Sequence, residues 1–98
     1  MAHSRREAIR ATRQITIVNK LGLHARPAAQ FVRRANVFRS EIWFVTKAGR
    51  FSALSLIDVM RANLDCGALV TLEAHGTDAD EAVERLAKLV KELPDYDD

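Results

Sequence analysis

Between residues 14 and 35 the spacing of apolar side chains changes from that of a strand to that of a helix, and the change is compressed into one short stretch. Ile15 and Ile17 alternate with Gln14 and Thr16, the pattern of a half-buried strand. Downstream, Ala28, Phe31, Val32 and Ala35 fall at i, i+3, i+4 and i+7, the apolar stripe of an amphipathic helix. The junction between them is Gly22-Leu23-His24-Ala25-Arg26-Pro27-Ala28. A chain that must turn here from strand to helix places His24 at or next to the helix N-cap.

That position has chemical consequences. The first N–H groups of a helix have no intrahelical partner, and the aligned peptide dipoles add partial positive charge, so a helix start attracts anions. The same field disfavours an imidazolium and leaves His24 a neutral nitrogen able to attack phosphorus. Arg26 adds a fixed cation whose planar fork suits phosphate oxygens. Pro27 sets the first turn at a position whose N–H would be unpaired anyway, and Gly22 permits a backbone conformation strained for other residues. Ala25 and Ala28 complete the helix start as small supporting residues. The competing reading of a lone histidine here is an ordinary cap or surface residue.

The whole stretch resembles the active-site signature of the HPr phosphocarrier family of the bacterial phosphotransferase system, in its sugar and nitrogen-type branches. Two further marks stand in the same register: a serine opening a short helix, Ser55 in Ser55-Leu56-Ile57-Asp58-Val59-Met60, and a glycine before the last strand, Gly67 in Gly67-Ala68-Leu69-Val70-Thr71-Leu72. The resemblance spans residues 14–93. It implies that His24 accepts a phosphoryl group, derived from phosphoenolpyruvate, from enzyme I and passes it to a IIA-type acceptor. It implies a phosphohistidine intermediate rather than catalytic turnover, and no cofactor. It also implies an HPr serine kinase/phosphorylase as a partner for Ser55, which is otherwise a simple N-cap. Two neighbours depart from the family pattern, Leu54 where a polar or basic residue is common and Asp58 where glycine is common; an acidic first turn disfavours added negative charge.

Ninety-eight residues, 48% of them hydrophobic, suit one domain with a modest core. Charge is segregated: residues 1–13 carry Arg5, Arg6, Arg10 and Arg13 against Glu7, residues 92–98 carry Glu92, Asp95, Asp97 and Asp98, and the interior is mildly basic. We therefore expect a flexible basic extension over residues 1–12, a domain over 13–93 and an acidic tail over 94–98. Helix is conceivable through Arg6 to Ala11, though frayed. A single cysteine, Cys66, suits a reducing compartment, and the absence of a long apolar run or signal-like segment points to a cytoplasmic monomer without membrane insertion.

The remaining periodicities predict strands at 13–19, 40–46, 51–53 and 68–75 and helices at 25–36, from Ser55 onward, and from Thr77 or Asp78 to Pro94. The third strand follows a turn at Lys47-Ala48-Gly49-Arg50. The order β-α-β-β-α-β-α predicts an α+β fold, a four-stranded antiparallel sheet with three helices on one face, and the family resemblance implies the same open-faced β-sandwich. Trp43 lies in a strand apolar on both faces, as a cover for one face or as a partly exposed contact. Ile57 and Met60 are either a docking patch or core packing, and Arg33 and Arg34 either partner contacts or solvated charges. Other classes of function compete with the carrier. A regulatory relative would act through partners and Ser55. A nucleic-acid binder would need aromatics interleaved with basic residues, but the six aromatics are not so placed. A ligand-sensing regulatory domain of similar topology is a further alternative, and a metal role for His24 and His75 lacks carboxylate or thiolate company at suitable spacing.

Overall fold

The structure is a computed structural model and describes residues 9–94. Its elements are β1 (Ile9–Thr16), α1 (Ala25–Ala35), β2 (Glu41–Thr46), β3 (Gly49–Ser52), α2 (Leu56–Arg61), β4 (Leu69–Gly76) and α3 (Ala79–Glu92). The four strands form one antiparallel sheet in the order β1-β4-β2-β3. The helices cover one face, as the apolar pattern requires: Ile42 and Phe44 of β2 and Val70, Leu72 and Ala74 of β4 point into the core, each at least 97% buried. Phe31 of α1 meets Phe44 of β2 with ring centroids 4.9 Å apart, which fixes the first helix over the sheet centre.

Strand boundaries differ most from the sequence reading at both ends of β1 and at the hairpin. β1 stops at Thr16 rather than running on to Asn19. β1 begins at Ile9 rather than Arg13, so residues 9–12, read as part of a mobile extension or a frayed helix, are strand. The cause is non-local: Ile9, Arg10, Ala11 and Thr12 pair with Gly76, His75, Ala74 and Glu73 of β4. The hairpin is also tighter than expected. Lys47 and Ala48 alone make the turn, and Gly49 and Arg50 already belong to β3, paired with Thr46 and Val45. The first part of the conceivable helix, and residues 95–98 of the tail, lie outside the described residues.

Side chains tie the elements together at their ends. Of Thr77 and Asp78, the two residues expected at the start of α3, Asp78 is the N-cap, but its side chain makes no capping bond. Its carboxylate instead accepts from the Ser40 hydroxyl at 2.6 Å and from the Arg39 N–H at 2.9 Å. Burial works to raise the Asp78 pKa, but these two bonds prevail and hold it below the usual value. The Asn36 amide donates to the Val32 and Leu54 carbonyls, joining the end of α1 to the segment before α2.

On the uncovered face a charged cluster spans all four strands. Glu73 of β4 accepts from His75 Nε2 at 2.7 Å and from Arg10 Nε of β1 at 3.2 Å, with Arg50 of β3 3.7 Å away. The Arg50 guanidinium lies 3.9 Å from the centre of the Trp43 ring, and His75 meets that ring edge-on. Trp43 is thus the half-buried floor of this cluster. The Glu73 carboxyl is held below its usual 4.5, first by the bond from His75, against an opposing effect of burial, and further by Arg10 and Arg50. A carboxyl with a depressed folded pKa contributes its full stabilisation above the unfolded value and loses it as pH falls through the folded one. Acid unfolding followed by circular dichroism should therefore show stability declining below pH 4.5, with Glu73→Gln making that decline shallower. An identical acid limb in the variant would show that the cluster adds nothing to stability.

Candidate functional site

The loop from β1 into α1 is built around Gly22. Its N–H bonds the Asn19 carbonyl at 2.9 Å, and its φ of +73° lies in the left-handed region. A Cβ at this position would collide with the Leu64 carbonyl oxygen and stand 3.0 Å from the Asp65 Cα. The next N–H, that of Leu23, donates to the same Leu64 carbonyl at 2.8 Å. The loop is therefore laid directly on the turn between α2 and β4, a contact that only glycine at position 22 allows.

This anchoring presents His24 as the N-cap of α1, with extended backbone (φ −86°, ψ −164°). Its carbonyl accepts the first helical bond, from Ala28 N–H at 2.8 Å, while its imidazole makes no capping bond. The ring is half-buried and reaches solvent. The N–H groups of Ala25 and Arg26 lie ahead of the helical ladder, and Pro27 has none to leave unpaired. Pro27 and Ala28 are buried and fix the first turn in the core, while Ala25 and Arg26 are exposed. No acidic residue occupies the first turn of α1, whereas α3 carries Asp80 and Glu81 there. The positive end of α1 is thus not offset by a carboxylate of its own, and it faces outward beside an imidazole.

His24 lines a shallow cleft of about 120 Å³ together with Leu21, Leu23, Met60, Asn63, Leu64 and Asp65. Met60 is 44% and Ile57 71% exposed, so neither is core; the core residue of α2 is Val59. Of the residues singled out from sequence, Met60 shares the cleft with His24, while Arg26, Ser55 and Ile57 do not line it. Arg33 and Arg34 are exposed in the last turn of α1, the far end of the helix from His24. Sequence reasoning missed Leu21, Asn63, Leu64 and Asp65. Their signal was the glycine: a residue needed for close approach implies a backbone approached, but not which one.

Ser55 is the N-cap of α2, its hydroxyl accepting from Asp58 N–H at 3.3 Å. The Asp58 carboxylate stands in that first turn, 3.7 Å from Arg61. Ser55→Ala is expected to cost about 1 kcal/mol, the usual loss for a side-chain cap, read as a lower midpoint in urea unfolding. No change in midpoint would show the bond to be without weight.

A half-buried imidazole at an anion-attracting helix mouth, on an open and shallow face, suits a protein that hands a group from one partner to another better than one that encloses a substrate. Comparison with known proteins agrees. Residues 11–92 match the family described as PTS HPr component phosphorylation site. The chain belongs to this HPr family, the phosphocarrier component of the phosphotransferase system. It is 41% identical over 80 residues to the phosphocarrier protein HPr of Buchnera aphidicola, covering 82% of this chain and 94% of that one. The crystal structure of HPr from Thermoanaerobacter tengcongensis superposes with a TM-score of 0.79 at 40% identity, over 83% of this chain and 91% of that one. HPr from Bacillus anthracis gives 0.78 at 34%, over 82% and 95%. Among the described residues, no helix is long and apolar enough to cross a membrane.

Proposed function

We propose that His24 is the residue that carries the phosphoryl group, received from enzyme I and delivered to a IIA-type acceptor. The observation that carries this reading is the N-cap placement of an imidazole that spends neither nitrogen on capping. A ring nitrogen lone pair attacks the phosphorus of the donor's phosphohistidine as the donor's P–N bond breaks, and the donor imidazole leaves. The other ring nitrogen of His24 keeps its proton. By family resemblance the attacking atom is Nδ1. The N–H groups at the start of α1 and the Arg26 guanidinium meet the phosphoryl oxygens. A helix end contributes only about 0.3–1 kcal/mol at an exposed site, which suits a group that must be held and then released. The shallow face leaves room for successive partners, which supports a role as a cytoplasmic monomer.

The test is direct. Incubated with phosphoenolpyruvate and enzyme I, the protein should gain one phosphate that is labile in acid and stable in base, and should lose it to a IIA protein. A label stable in acid, or none, would overturn the reading. Ser55 fits a structural cap better than a regulatory phosphate acceptor, because its hydroxyl serves the α2 backbone and the Asp58 carboxylate stands in the same turn.

A further inference from the structure

The cleft beside His24, about 120 Å³, has room for about one side chain of a partner, whereas a specific interface covers about 800 Å² on each side, so a docked protein must also touch surface beyond it. It does not end at the α2–β4 turn. Asn63 and Leu64 form its rim and are also the rim of a second, larger hollow of about 350 Å³. That hollow is floored by Ala62 and walled by Thr46, Lys47 and Ala48 of the β2–β3 hairpin and by Leu69 at the start of β4.

Leu69 requires an explanation. It occupies an outward position of β4, opposite Thr16, and is 60% exposed, although the other outward positions of that strand carry Thr71, Glu73 and His75. Val18, just past Thr16, is 52% exposed. Leu21 and Met60 expose 60% and 44% on the His24 side of the same turn. Exposed apolar side chains thus stand on both sides of the turn, Leu21 and Met60 toward His24 and Leu69 toward the second hollow, with Asn63 between them. The turn itself is a fixed ridge. Asn63 adopts a left-handed φ of 56°, which asparagine tolerates better than most residues, and the Leu64 carbonyl is pinned by Leu23 N–H. Lys47 stands exposed on the hairpin wall beside the hollow.

We infer that this second hollow is part of the docking surface for enzyme I, the protein that donates the phosphoryl group to His24. That partner seats an apolar side chain against Leu69 and Ala48 and presents a neighbouring carboxylate to Lys47. The inference rests on the carrier reading of His24 and deepens it: the partner reaches past the reacting imidazole and over the Asn63 ridge. Continuity of the two hollows supplies the place, and the Leu69–Lys47 pairing supplies the chemistry, an apolar anchor rimmed by opposite charge.

The test uses the full chain, phosphoenolpyruvate and enzyme I, and reads the carrier concentration that half-saturates phosphorylation. Leu69→Glu and Ala48→Glu replace exposed side chains, so the fold is retained, as circular dichroism will check. Each is expected to raise the half-saturating concentration about tenfold or more, because a carboxylate is placed where an apolar group must dock. Lys47→Glu should raise it as well, and Lys47→Arg should restore it. Val37→Glu, at a site 73% exposed beyond the far end of α1, should leave it unchanged. Hydrolysis of the isolated phosphoprotein should be the same in all variants, since none touches His24. If wild type and the variants at positions 47, 48 and 69 saturate alike, the docking inference is overturned while the carrier reading stands. If the wild type takes up no phosphate, the carrier reading fails and this inference falls with it.

Discussion

His24→Ala will accept no phosphate from phosphoenolpyruvate and enzyme I, and will pass none to a IIA acceptor, while folding as the wild type does. The loss is complete because, among the described residues, no second imidazole stands at the helix mouth. His75, the other histidine among the described residues, donates its Nε2 to Glu73 on the uncovered face of the sheet. The fold survives because the imidazole makes no capping bond and reaches solvent, so its removal costs under about 1 kcal/mol. Two measurements check this together: acid-labile phosphate per chain, and the midpoint of thermal unfolding. Residual acid-labile phosphate in the variant would move the acceptor role to another residue.

Gly22→Ala is expected to lower stability and activity at once. The added Cβ meets two separate objections, a backbone φ of +73° that an L side chain rarely adopts and a collision with the Leu64 carbonyl oxygen. Each costs about 1–3 kcal/mol, and neither can be relieved by rotating a side chain because the obstacle is backbone. A combined loss of about 2–4 kcal/mol would lower the melting temperature by roughly 10 °C or more in a domain of this size. The loop should also lift from the α2–β4 turn, breaking the bond from Leu23 N–H and moving His24 relative to Met60. Phosphorylation by enzyme I should therefore slow even at temperatures where the variant is fully folded. A variant with wild-type melting temperature and rate would show that the loop does not need its present contact.

The contrast between these substitutions shows which features a sequence makes legible. The place of His24 is written locally: alternation through Ile17, a helical stripe from Ala28, and Pro27 in the first turn are all within a few residues of it. The apolar stripe of α3 is equally local, and Val83, Leu86 and Val90 are buried as their spacing predicts. The start of β1 is not local. Among Ile9, Arg10, Ala11 and Thr12 only Ala11 is buried, so the alternation is too thin to read without the β4 residues that pair with them. Asp78 is the N-cap of α3 as its position predicts, but the partners of its side chain were hidden for a related reason. Its position suits a helix cap, but Ser40, distant in sequence, competes successfully for its carboxylate. At the site, the imidazole was legible from sequence, while the floor of its cleft, supplied by a turn some forty residues on, was not.

The strand order has a bearing on how the molecule is made. Ile9, near the beginning of the chain, finds its neighbour in Gly76, and the central strand β4 is translated after the other three. Until it leaves the ribosome, the first strand has no ladder to join and the β2–β3 hairpin stands alone. A nascent chain arrested before residue 69 should remain open to proteases, and protection should arrive late and all at once rather than in stages.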